Sequence, residues 1–248
     1  MIDSTRRNKN IGTSKQGHGQ NNKLTIAEPY CTSKYFYERL DKYTKTKKII
    51  NGHEFVFIVE KTRETSIHSC SIEDVQTIIE QIPESDYGKL KFIVFRQPKR
   101  KEEILSPVWG RLIYIYEFEN EYLPAIIIDA IDLTKKFKWS NKLTLEQKKE
   151  LERLKNDGHE IINYGRYYIS EYKKENVRNT QLYRTLLHEF GHYVHYLESV
   201  KRPSVDEQDY EERRDLYFKI PTIEKEKFAN NYAEKLSSNL RERKIIPF

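Results

Sequence analysis

The stretch TLLHEFGHYVHY, residues 185–196, sets two histidines four residues apart, with a glutamate directly after the first. On an α-helix His188 and His192 lie one turn apart and about 40° apart around the axis, so both imidazoles can reach one cation. Glu189 projects roughly 100° round from His188, where a carboxylate can take a proton from a water on that cation without ligating it. The chain has three His-Glu pairs, at 53–54, 159–160 and 188–189, and only the third continues into H-E-x-x-H. This spacing offers metal-assisted hydrolysis. Tyr183, Leu186, Phe190, Val194 and Leu197 gather on the other side of the same helix, which turns the histidines away from the apolar stripe. Gly191 leaves the flank of the histidine face bare, so that another backbone or a ligand can come close.

A catalytic zinc site takes three protein ligands and keeps one position for water. His195 shares the histidine face but lies a further turn along, and Glu198 would ligate only if the chain broke from the helix. The segment PTIEKEKFANNYAEKL (221–236) supplies a better source. Around Glu226, the residues Ala229, Asn230 and Ala233 fall within about 60° on the wheel. That face carries a carboxylate, an amide able to support it, and two small residues that permit close helix approach. Phe228, Tyr232 and Leu236 form a separate packing stripe, and Glu224 sits about 160° from Glu226. Glu226 is the expected third ligand.

H-E-F-G-H at 188–192 followed by E-K-F-A-N-N-Y-A at 226–233 resembles the gluzincin metallopeptidases. The likeness is strongest to the ImmA/IrrE-type peptidases, whose glutamate helix reads E-x-x-A-N-x-F-A. The pattern is also similar to the anthrax lethal factor-type peptidases, where that helix reads E-x-F-A. The resemblance covers roughly residues 160–240. It implies a zincin-like fold, Zn2+ held by His188, His192 and Glu226, and Glu189 as the general base in hydrolysis of a peptide bond. It further implies a tyrosine upstream of the glutamate that steadies the oxyanion, for which Tyr217 is the nearest match. An edge strand should pair with the substrate backbone, and both 167–172 and 122–129 stand open for that part. Two features depart from the pattern: 226 − 192 = 34 residues separate the motifs, and they include a charged insert, SVDEQDYEERRD (204–215). The segment 180–196 is similar as well to uncharacterised bacterial zincin-like proteins, which leaves the substrate open. A zincin fold kept for metal-dependent binding or regulation, without turnover, is the alternative.

The elements that must position these residues can be read from periodicity. TSKYFYERLDKYTK (32–45) reads as a short helix and EFVFIVEK (54–61) as a strand. SIEDVQTIIEQIP (71–83) is a helix capped at Ser71 and stopped at Pro83, and KLKFIVFRQ (89–97) is the next strand. The run 110–132 reads as two strands turning at 119–121. LTLEQKKELERLKNDGH (143–159) is a charged helix ending near Gly158, and 160–172 a hairpin or edge strand turning near Gly165. The histidine helix starts around 176–180 and ends before Pro203, and the last helix runs from Thr222 to about Arg241. The expected class is α+β, a mostly antiparallel sheet followed by helices, with a basic disordered tail (1–24), an N-terminal region (25–109) and a zincin-like region (110–248), or one domain over 25–248.

Composition narrows the partners. With 248 residues, 37% of them hydrophobic and 33% charged, the chain can bury a core under a heavily solvated surface. No apolar run approaches the ~20 residues of a membrane span, and the N-terminus has no apolar segment of a secretory signal. Two cysteines, Cys31 and Cys70, make no disulfide framework. A cytoplasmic protein without membrane partners is expected, and the abundance of Lys, Ile, Asn and Tyr suits an AT-rich bacterial or phage genome. The net charge of +6 is spread among 38 acidic residues, RQPKRKEE (96–103) reads as a solvated loop, and no nucleic-acid motif is present. His18, His53, His68 and His159 have no partner pattern.

Overall fold

The computed structural model describes residue 35 and residues 37–105 and 109–247, so the expected tail at 1–24, His18 and Cys31 lie outside the described residues. Residues 36–248 make one compact unit. Its strands are β1 (Tyr43–Ile50), β2 (His53–Glu60), β3 (Ser66–Ile67), β4 (Phe92–Arg96), β5 (Gly110–Phe118), β6 (Glu121–Asp129), β7 (Ile131–Asp132), β8 (Lys136–Ser140), β9 (Ile161–Asn163) and β10 (Tyr167–Glu171). Its helices are α1 (Ile72–Ile79), α2 (Arg100–Leu105), α3 (Leu145–Asn156), α4 (Lys174–Asn179), α5 (Leu186–Tyr196), α6 (Glu207–Lys219) and α7 (Thr222–Glu242). Among the described residues, no helix is long and apolar enough to cross a membrane.

Five strands form the main sheet in the order β1-β2-β4-β6-β5. The fold is mixed α+β, and antiparallel pairs outnumber parallel ones, as expected. The centre of the main sheet is nevertheless parallel: β2 pairs parallel with β4, and β4 parallel with β6. The cause is α1, which carries the chain from β2 back to the same end of the sheet before β4 begins. Both faces of these strands are covered. Phe55, Phe57, Ile93, Phe95, Ile126 and Ile128 pack toward the helices, while Val56, Ile58, Phe92, Val94, Ala125 and Ile127 build a second cluster on the opposite face. That is why they read as continuous apolar runs rather than alternating ones.

Two local expectations are corrected. The segment 37–45 forms no helix: Asp41 and Lys42 lead into β1, and the Asn51-Gly52 turn, with φ of 48° and 79°, folds β1 onto β2 as a hairpin. RQPKRKEE is not a solvated loop, because Arg96 ends β4 buried and residues 100–105 form α2. The charged insert 204–215, which the sequence left unplaced, enters α6 at Glu207, where the Asp206 side chain accepts from the Asp209 amide and an Asp209–Arg213 ion pair laces the helix. Other elements stand where they were placed. β5 and β6 turn at Glu119-Asn120, α3 ends at Asp157 before Gly158 (φ 97°), and β9 and β10 turn around Gly165 (φ 77°). β8, β10 and β9 make a separate three-stranded antiparallel sheet.

The histidine helix is the axis of the helical side. It runs unbroken from Lys174 to Lys201, with wider π-type turns at Thr180–Thr185 and Leu197–Lys201 on either side of α5. Leu186, Leu187, Phe190, Tyr193, Val194 and Tyr196 are all buried, so the apolar surface wraps much further round than the single stripe expected. Each such side chain contributes about 1.5–3 kcal/mol by leaving water. α5 is wedged between β5 and α7, and this wedge fixes the site.

Candidate metal centre and its cleft

Where α5 meets α7, the backbones nearly touch. A Cβ added at Gly191 would lie 2.8 Å from both the Cα and the carbonyl oxygen of Ala229, so glycine is required for this approach. One turn of α7 before Ala229, the approach delivers Glu226 to the histidines. His188 Nε2 stands 3.3 Å from Glu226 Oε2 and His192 Nε2 stands 3.3 Å from Glu226 Oε1, with the two rings edge to face at 4.6 Å. One ligand atom from each of the three residues lies within 4.8 Å of the others, and no other such cluster occurs among the described residues. Two donors held at zinc bond lengths in a tetrahedron lie about 3.3–3.5 Å apart, which the observed separations match. Two imidazoles and a carboxylate also suit that ion chemically.

Hydrogen bonds donated by His188 and His192 hold the Glu226 carboxyl well below its usual range. Glu189 is in the opposite situation. It is 9% exposed, and burial pushes its carboxyl up against the pull of both histidines. Its Oε2 accepts a 2.7 Å hydrogen bond from the Leu112 backbone amide on β5. The tight start of that strand, where a Cβ on Gly110 would meet Ile127 oxygen at 2.6 Å and Thr185 at 3.0 Å, sets β5 against the helix at this point.

The rejected ligands are elsewhere. His195 stacks on Phe228 at 4.4 Å, Glu198 is exposed beside Arg202, and Glu224 is exposed at the start of α7. Tyr217 is buried in an aromatic cluster, its hydroxyl 2.9 Å from that of Tyr114 and 3.4 Å from the His192 carbonyl, and its ring 5.2 Å from His195. It is not among the residues lining the cleft. The two strands considered as edges are both interior: β6 lies between β4 and β5, and β10 between β8 and β9. The edge beside the site belongs to β5, whose Leu112 amide points out of the sheet toward Glu189. His53, His68 and His159 are structural, each with Nε2 bonded to a neighbour: the Leu90 carbonyl, the Glu60 carbonyl and the Thr180 hydroxyl.

The centre opens into a cleft of about 510 Å³. His188, Glu189, Glu226 and Asn230 line it together with an aromatic group, Trp109, Phe137 and Trp139, and Leu154. Asn230 therefore sits beside the ligand set, as its place on the wheel suggested. The aromatic group was missed, although FKW in β8 alternates as a half-buried strand should. The Leu112 amide had no sequence signal, since any residue but proline supplies one. No family model, curated protein or solved structure matches this chain.

Proposed function

We propose that the protein is a zinc-dependent metallopeptidase that hydrolyses a peptide bond of a protein or peptide substrate. The observation that carries this reading is the convergence of His188, His192 and Glu226 within bonding geometry of one ion, with buried Glu189 beside them. Zinc in that position supplies Lewis-acid polarisation of the carbonyl and a water of lowered pKa. Glu189 takes the proton from the attacking water and passes it to the departing amine, a task suited to a carboxyl whose proton affinity is raised by burial. The Leu112 amide holds that carboxylate in one orientation. Asn230 lines the cleft with His188 and Glu226, and Gly191 and Ala229 keep Glu226 in place from behind. Tyr217, the tyrosine that the resemblance offers for the oxyanion, packs beneath the His192 turn with its hydroxyl 3.4 Å from the His192 carbonyl. An extended substrate pairs along the outer edge of β5 by strand addition, between the amides of Leu112 and Glu117 that Glu189 and Glu38 hold. Two histidines and a glutamate as ligands, with Glu189 as base, are what the gluzincin resemblance implies.

Metal analysis of the purified protein tests the reading. About one zinc per chain is expected in the wild type, with strong loss in both His192→Ala and Glu226→Ala. Full zinc retention in Glu226→Ala would remove that residue from the ligand set. Absence of zinc from all three proteins would end the metallopeptidase reading. Zinc without hydrolysis of any peptide would favour a metal-dependent binding or regulatory protein.

A further inference from the structure

We propose that the aromatic group lining the cleft is a subsite for a bulky, uncharged aromatic side chain of the substrate, next to the scissile bond; this rests on the peptidase reading above. Phe137 and Trp139 are alternate residues of β8 and so share a face, stacked at 5.1 Å and 26°. Lys136, Lys138 and Ser140 alternate with them as the exposed positions. Trp109 closes the group at 5.2 Å from Phe137, and Tyr172 backs both rings at 4.4 and 5.7 Å. The core aromatics of the main sheet are all but sealed, whereas Trp109, Phe137 and Trp139 keep part of their surface on the cleft. Aromatic surface left out of the core and turned onto a concave wall is where an apolar group binds.

Position and charge select the guest. Trp109 stands immediately before β5, three residues from Leu112, whose amide holds Glu189, so the aromatic group adjoins the start of the strand that anchors the catalytic carboxylate. A peptide paired to β5 carries a side chain near its scissile bond to that wall. Aromatic walls also attract cations, but Lys138, Arg153 and Arg184 line the same cleft. The nearby carboxylate of Glu150 is held by Arg184 through two 3.0 Å contacts. The charges on the lining balance, these three cations against Glu150, Glu189 and Glu226, so no spare charge there draws in an ionic guest, and a cation or a carboxylate would give up water for ring faces. A neutral aromatic side chain fits what remains.

The chain has two tryptophans, and both line this cleft, so intrinsic fluorescence reports on the subsite without metal or turnover. The metal-free wild type would be titrated with N-acetyl-phenylalaninamide, N-acetyl-alaninamide and N-acetyl-lysinamide at millimolar concentration. The phenylalanine compound should blue-shift the emission and at least halve acrylamide quenching, while the other two do neither. Trp109→Phe and Trp139→Phe, each leaving one reporter, should both retain a response, and Phe137→Ala should lose it. Equal responses to all three compounds, or none, would overturn the subsite. On the zinc-loaded enzyme, a peptide mixture should show roughly tenfold preference for Phe over Ala beside the cleaved bond, falling below twofold in Phe137→Ala. Cleavage without that preference overturns the subsite and leaves the peptidase reading standing. A selective fluorescence response in a protein that neither binds zinc nor cleaves keeps the aromatic site and overturns the peptidase reading alone.

Discussion

Around Arg96 and around Glu226 the chain gathers acidic and basic side chains, and the two clusters differ in what they leave open. Arg96 is 1% exposed and Asp129 2%, and they pair at 3.4 Å. Arg96 also pairs with Glu102 on α2, and Arg111 reaches Asp129 at 3.3 Å. The space beside them is about 40 Å³, against about 510 Å³ beside Glu226. In the first cluster permanent guanidinium charges neutralise the carboxylates, and little room remains for a ligand. In the second the basic groups are imidazoles, which can give up their protons and turn lone pairs on a cation. Charge pairing alone does not mark a site. Cations that can become donors, facing a cavity, do.

Breaking each cluster should therefore have different consequences. Glu189→Gln should lower peptide hydrolysis by roughly 10³-fold while zinc stays at one per chain, measured by steady-state kinetics beside metal analysis. Activity within tenfold of wild type would take Glu189 out of the proton transfer. Arg96→Ala should cost about 3 kcal/mol in urea denaturation, because it takes the buried partner from Asp129 and Glu102 and leaves Asp129 with Arg111 alone. That loss should be smaller at pH 5 than at pH 8. Burial pushes the Asp129 carboxyl up to about 6, so between its ordinary range and that value the folded protein binds a proton that the unfolded chain does not. Stability from this group thus rises as pH falls through that window, and removing Arg96 widens it. An equal loss at both pH values would mean that Asp129 stays charged throughout.

Gly191→Ala should destabilise the protein by about 1–3 kcal/mol and weaken zinc binding, since the new methyl presses on the Ala229 backbone and α7 must move with Glu226. Unchanged zinc affinity in a competition titration would show that Glu226 can reach the ion without that contact. The smallest effect is at Asp74, which pairs with Arg178 on α4 and caps α1. Arg178 holds its carboxyl below the ordinary range, so its contribution is present above about pH 4 and is lost as pH falls through the lowered value. Asp74→Asn should cost about 1 kcal/mol or less near neutrality and flatten the acid limb of the stability curve. A full-size acid limb in the variant would assign it to other carboxylates.

The cluster of two histidines and a glutamate was legible because helical periodicity turns spacing into direction. His188, His192 and Glu226 were named from wheel angles, and Gly191 and Ala229 from their lack of side chains. What stayed hidden depended on partners far along the chain. The parallel centre of the main sheet was implicit in the strand, helix, strand order over 54–97, but antiparallel pairing was the broader expectation. α6 has no apolar stripe, so only its Asp206 cap and its charge pairs mark it. The aromatic wall joins Trp109 to a strand that pairs with β10, and nothing local announces that meeting.

The bond between Glu189 and the β5 amide bears on solubility as well as chemistry. A five-stranded sheet has two margins on which another chain could grow a strand. At one margin, β1 is studded with Lys45, Lys47 and Lys48. At the other, a carboxylate from α5 already occupies the Leu112 donor. The margin that a peptide must borrow for a moment is thus kept from permanent company, and overexpressed protein should resist edge-to-edge fibril growth.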